Sequence, residues 1–110
     1  MSWTSKHRYA RISPRKVRLV TALIRGRPVD DALTILDFTR KRASVFVQKV
    51  LRAAMADAGE KEANVRQLIV TEARVDAGPT IKRFQPKDRG RAHPIMKRTS
   101  HIIVTVGTRE

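Results

Sequence analysis

The chain has 110 residues, of which 41% are hydrophobic, with no cysteine and a formal charge of +14. That length supports one domain around a single modest core, and the missing thiols exclude a disulfide framework or a thiolate metal site, which suits the cytoplasm. The basic excess fits a partner rich in phosphate, because each Lys or Arg contact releases a condensed counterion. Membrane insertion is not expected: no apolar run approaches the roughly 20 residues of a span, and no basic amphipathic helix carries an inserting Trp/Phe/Leu face. The opening residues MSWTSKHRYAR also lack a hydrophobic signal core.

The first dozen residues alternate loosely and predict a short strand or extended arm, made basic by Lys6, His7, Arg8 and Arg11. A helix follows, with Ser13 as N-cap, Pro14 at the first helical position, and Gly26 with Pro28 as the stop. Val17, Val20 and Ile24 follow helical spacing as a core stripe, while Arg15, Arg18 and Arg25 fall on another face as a basic ridge beside Lys16. Asp30 is read as the cap of a second, shorter helix that turns Ala32, Ile35 and Leu36 inward. A third helix is predicted from Thr39 or Arg40 to Ala58, with Gly59 as its stop. Its apolar positions Ala43, Phe46, Val47, Val50 and Ala54 step by three and four, as a buried face does. EKEAN after it reads as a loop, and Trp3 and Phe38 read as core or edge packing.

From Gln67 the period changes, and Leu68 to Val75 and His101 to Val106 read as β-branched strands. Between them lies TIKRFQPKDRGRAHPIMKRTS, Thr80 to Ser100, with Lys82, Arg83, Lys87, Arg89, Arg91, Lys97 and Arg98 against the single acid Asp88. The segment is too long for a tight turn, and too basic to bury itself without an anionic partner. Gly90 near its middle is the natural reversal point. Pro86 and Pro94 on either side predict edge-like, locally irregular arms. Two arms of about ten residues each would project roughly 30 Å. The fold class expected is α+β: three helices packed on a small three-stranded antiparallel sheet, in one domain over 1–110, with a long β-hairpin over about 80–100.

Nucleic acid is the partner that best explains these residues. Lys and Arg supply phosphate contacts, and Gly90 and Ala92 permit close approach of backbone to RNA. Thr99, Ser100 and His101 are placed either to hydrogen-bond phosphate and 2′-hydroxyl groups or to cap the strand junction; Phe84 either stacks on a base or packs on the opposite arm. A small basic ribonuclease is the rival from the enzyme class. However, His7, His93 and His101 lack metal-ligand spacing, and a phosphate-binding surface needs no catalytic geometry. No P-loop, nucleophile elbow or dinucleotide fingerprint is present, so neither an enzyme nor a cofactor is expected. A winged-helix DNA-binding protein is the rival binding module. The exposed side of its third helix would offer Lys41, Gln48, Lys49 and Arg52, which suit phosphate better than base edges.

The stretches KHRYARISPRKVRLVTALIRGRPVDDAL, KRASVFVQKVLRAAMADA and GPTIKRFQPKDRGRAHPIMKRTSHIIV occur in the order and spacing of one family. Over nearly its whole length the chain resembles the bacterial form of large-subunit ribosomal protein twenty-two. SPRKVRLV with LIRG, and GRA followed by KRTSHI, are the most specific pieces. The resemblance implies an α+β fold whose body sits near the outlet of the peptide exit tunnel. It further implies a hairpin that passes through large-subunit ribosomal RNA, early binding during assembly, and contact with neighbouring ribosomal proteins and the nascent peptide. The tunnel-lining tip would be Lys87, Asp88, Arg89, Gly90, Arg91 and Ala92. At Lys87 and Asp88 the chain departs from the family's usual Arg or His followed by a small residue. Lys87 lacks the planar fork of Arg, and Asp88 brings negative charge close to phosphate. A cytoplasmic or an organellar ribosome is consistent with all of this, and no homo-oligomer is expected.

Overall fold

The computed structural model describes residues 2–61, 64–87 and 91–108, with the backbone alone described for 65, 81–87 and 91–97. In chain order these form β1 (Ser2–Ala10), α1 (Pro14–Ile24), α2 (Val29–Phe38), α3 (Arg42–Glu60), a short 3-10 turn at Val65–Gln67, β2 (Leu68–Lys87) and β3 (Arg91–Thr108). The strands make an antiparallel sheet in the order β1-β3-β2, so the last strand is central. The expected α+β architecture is the one observed.

Period-two alternation gives the sheet two unlike faces. Along β1, Trp3, Ser5 and His7 are half-buried while Thr4, Lys6 and Arg8 are exposed. Register aligns Trp3 with Val106 and Val70, Ser5 with Val104 and Ala73, and His7 with Ile102 and Val75. Directly opposed residues share a face, so these rows face the helices; Val70, Val75, Ile102, Val104 and Val106 belong to the buried core. On the other face Ile103 lies between Lys6 and Arg74 and is still buried, as expected where long charged side chains cover apolar surface with their stems.

The helices bury the stripes their spacing predicts: Val17, Val20 and Ile24 in α1, Ala32 and Leu36 in α2, and Ala43, Val47, Val50 and Ala54 in α3. Ile35 and Phe46 are only half-buried. Three end assignments are corrected. Ser13 occupies the N-cap position, but its side chain makes no capping bond. The Lys16 N–H it would accept instead donates to Ser13's own carbonyl at 3.1 Å. Asp30 lies inside α2, because Pro28 takes the extended cap position and its carbonyl accepts from Ala32 N at 2.9 Å. Asp30 and Asp31 therefore favour the helix through its dipole. α3 starts later and ends later than expected. Ser44 Oγ donates to Lys41 O at 2.7 Å and Thr39 O at 3.1 Å, holding Thr39 and Arg40 in the link between helices. Gly59 does not stop α3, since Lys61 N still donates to Asp57 O and Ala58 O. Gly26, by contrast, ends α1 with φ of +75°, where glycine is favoured.

Phe38 also departs from expectation: it does not pack but stands 82% exposed. Leu36 points into the core, and two residues further on is about 200° round the helix. Trp3 does pack against the core, half-buried.

Both ladders lose register at one height. The β1–β3 shift falls between His7 and Ala10, and the second of two β2–β3 shifts falls between Ala77 and Thr80, the first lying between Val70 and Glu72; Ala10 and Ala77 both pair with Ser100. Beyond this neck the hairpin continues as two strands, from Thr80 opposite Arg98 to Lys87 opposite Arg91. The pairing runs through Phe84–Pro94 and Pro86–Ala92 without a shift, so the irregularity expected at the prolines lies at the neck instead. Each arm of a two-stranded ribbon has an open edge to which proline can turn its missing N–H. The arm spans roughly 25 Å at strand rise, and the whole molecule measures 63 × 25 × 18 Å.

The neck is tightly fitted. Thr99 Oγ1 donates to Pro79 O at 2.7 Å, and the buried Ser100 Oγ donates to Ile12 O at 2.5 Å. A Cβ on Gly78 would collide with Thr99 Oγ1 and lie 3.3 Å from both Thr99 C and His101 Cε1. Gly78→Ala is therefore expected to cost about 1–3 kcal/mol of stability, since Thr99 must rotate and release Pro79. Denaturant unfolding of a double-mutant cycle checks this: the cost should shrink measurably in a Thr99→Ala background. Equal costs would place the clash on the Thr99 backbone instead.

Candidate nucleic-acid interface

An edge strand presents unpaired backbone groups, and in the body the outer edge of β2 is covered by the end of α1. Arg25 Nε donates to Ala73 O at 2.6 Å, and an Arg18 terminal nitrogen donates to Val75 O at 3.3 Å. Gly26 N donates to Val70 O at 2.8 Å, Val70 N donates to Arg27 O at 2.9 Å, and Pro28 bridges to Ile69. Hence two of the three ridge arginines are held by the strand they run beside. Both remain exposed, and a guanidinium has five N–H donors, so most of each fork is left for an anion. Arg15 and Lys16, in the first turn of α1, are exposed on the same helix.

At the neck, Tyr9 adopts φ of +59°, a left-handed geometry rare for a non-glycine residue. Its N–H donates to His101 Nδ1 at 3.1 Å, which puts the proton of the neutral ring on Nε2. The two rings meet edge to face at 4.8 Å, and the Arg8 guanidinium lies 5.3 Å from the Tyr9 ring centroid. Arg11 and Arg98 are exposed at the same level, whereas Thr99 and Ser100 are buried with their hydroxyls bound to carbonyls. His7 turns to the helix face, 5.6 Å from the Phe46 ring, while its neighbours Lys6 and Arg8 are exposed. The structure thus groups Lys6, Arg8, Arg11, Arg98 and His101 around the open face and neck. Arg15, Lys16, Arg18 and Arg25 lie along α1, and His7, Thr99 and Ser100 turn inward.

In the hairpin, Lys82, Arg83, Lys87, Arg91, Ala92 and Lys97 are described as strand backbone only. Asp88, Arg89 and Gly90 lie outside the described residues, as do the side chains of Phe84 and His93.

Among the described residues the ion pairs are those of Arg74 with Glu72 at 3.3 Å and Asp76 at 3.8 Å, half-exposed contacts of small worth. The ridge and neck cations therefore have no carboxylate partner among the described residues, and a polyanion would relieve their mutual repulsion. No group of three or more His, Cys, Asp or Glu among the described residues is placed to hold a metal ion. No described helix is long and apolar enough to cross a membrane.

Sequence spacing located the α1 ridge but missed what fixes it, because the Arg18 and Arg25 bonds depend on the register of β2 against α1. The Tyr9 conformation leaves no composition signal either.

The model of the family described as Ribosomal protein L22p/L17e matches residues 5–107, which takes in the ridge, the neck and both arms of the hairpin. The chain belongs to that family of large-subunit ribosomal proteins that bind ribosomal RNA.

Proposed function

We propose that this chain is a structural strut of the large ribosomal subunit, with no enzymatic step, no cofactor and no self-association. Its body docks on ribosomal RNA through Lys6, Arg8, Arg11, Arg15, Lys16, Arg18, Arg25 and Arg98. Its hairpin threads between RNA segments, using Lys82, Arg83, Lys87, Arg89, Arg91 and Lys97 on phosphates. The tip, Lys87 to Ala92, lines the peptide exit tunnel beside the nascent peptide. His7, Thr99, Ser100 and His101 act mainly by shaping the neck from which the hairpin leaves. Early binding of the RNA aids subunit assembly, next to other ribosomal proteins.

The observation that carries this reading is the arrangement of charge. Cations with no carboxylate partner among the described residues run from the ridge through the neck, and a paired ribbon of basic sequence continues from there. Family membership supplies the identity of the polyanion.

Competitive binding of the purified chain to large-subunit ribosomal RNA, with duplex DNA as competitor across a salt series, tests it. Preference for the ribosomal RNA that persists at moderate salt is the expected result. Equal binding to both polymers with one steep salt slope would reduce the chain to a generic polycation and sink the reading.

A further inference from the structure

Phe38 is the most exposed large apolar side chain among the described residues. It ends α2 and is followed by the exposed Arg40 and Lys41 in the link and by the exposed Arg42 at the start of α3, whose guanidinium lies 5.6 Å from the Phe46 ring centroid. None of these cations has a carboxylate partner among the described residues. The one acid beside them, Asp37, is engaged elsewhere: its Oδ1 accepts from Gln48 Nε2 at 2.6 Å, tying the end of α2 to α3. Thr39 Oγ1 donates to Ile35 O at 2.7 Å, and Ser44 Oγ holds the other end of the link through Lys41 O. The ring and the cations thus sit on a hydrogen-bonded platform that belongs to neither the ridge, the neck nor the hairpin.

We propose that Phe38 stacks on an unpaired base of ribosomal RNA, with Arg40, Lys41 and Arg42 on the flanking phosphates. The inference rests on the RNA-binding reading above and deepens it. A single aromatic ring among cations matches how single-stranded nucleotides are held: every base has a π-face, and its backbone brings the charge. A paired duplex offers no open base face. A protein neighbour fits less well, because interface centres are depleted in Lys and need more apolar area than one ring.

The test compares wild type, Phe38→Ala and Phe38→Tyr for binding to protein-free large-subunit ribosomal RNA across a salt series. Phe38→Ala should weaken binding about tenfold, within the range of one base–aromatic stack, at an unchanged salt slope. Phe38→Tyr should restore it, and Tm should stay at the wild-type value because the ring is exposed in the free chain. Wild-type affinity in Phe38→Ala, with ribosomal RNA still preferred over duplex DNA, overturns this inference alone. Loss of that preference in the wild type itself removes the parent reading and this one with it. As a second readout, the photocrosslinker p-benzoylphenylalanine in place of Phe38 should yield an RNA adduct in assembled large subunits. An adduct with protein alone would assign the ring to a ribosomal-protein neighbour and overturn the proposal.

Discussion

Replacing residues 81–97 with an Asn-Gly turn is expected to leave a cooperatively unfolding body that has lost most of its affinity for ribosomal RNA. The core explains the first half. Among the described residues the core runs from Ala10 to Val75 and from Ile102 to Val106, so the helix and sheet layers close on side chains outside the excised segment. Thr80 and Arg98, already paired, would flank a two-residue turn of the type hairpins favour. The second half follows from charge. The exchange takes out Lys82, Arg83, Lys87, Arg89, Arg91 and Lys97 together with Asp88, so six cations and one acid leave and the formal charge falls from +14 to +9. If each cation meets one phosphate, the slope of log affinity against log salt becomes shallower by about 4 to 5. A thermal melt and a salt series read both halves. Loss of the cooperative transition would show that the ribbon supports the body, and an unchanged slope would show that its cations do not meet phosphate. The combined substitutions Arg89→Glu and Arg91→Glu keep the length of the hairpin and isolate charge. They should impair incorporation into large subunits far more than they alter the stability of the free chain.

How far the sequence can be read depends on what each feature answers to. The stripes of α1 and α3 are legible because burial imposes their period, and residues such as Val17, Val20, Val47 and Val50 are where that period puts them. The strands are legible from alternation only where burial also acts; the hairpin arms are expected from length, charge and Gly90 instead. Alternation of apolar residues fades after Val75 and resumes at His101, yet β2 and β3 stay paired through the basic segment. Backbone ladder bonds need no buried side chain, so a composition shift there does not mark the end of the strand. Helix ends were displaced at Asp30 and Gly59, where backbone bonds to Pro28 O and from Lys61 N decide the ends, while Ser13 holds its expected N-cap place without the expected side-chain bond. The basic ridge was visible from spacing, but its fixation through Val75 O and Ala73 O was not. Phe38 inverts the usual inference, since a large aromatic at the end of an amphipathic helix reads as core until the angle from Leu36 is counted.

That same limit hid a residue on which the body depends. Leu51→Ala is expected to destabilise the free chain by about 3–5 kcal/mol. The predicted stripe of α3, Ala43, Val47, Val50 and Ala54, describes a helix packed on one side. In the fold α3 touches β1 and β3 as well as α1 and α2, so its buried face is wider and adds Ser44, Leu51 and Ala58. Leu51 is fully buried and is the largest of these residues, so truncation leaves a cavity among partners fixed from two directions. Against a total stability of about 5–15 kcal/mol for a domain, the loss should lower Tm by roughly 12 °C or more. Val45→Ala is the matched control: it shortens an exposed side chain of the same helix and should change stability by less than about 0.5 kcal/mol. Denaturant unfolding of the two variants decides between a face closed on both sides and a single stripe, for which Leu51 would behave like Val45. The measurement belongs on the free chain, because RNA that binds only the folded body would mask the loss by mass action. A Leu51→Ala chain that melts early alone but recovers when ribosomal RNA is added would show the body's fold and its docking to be coupled.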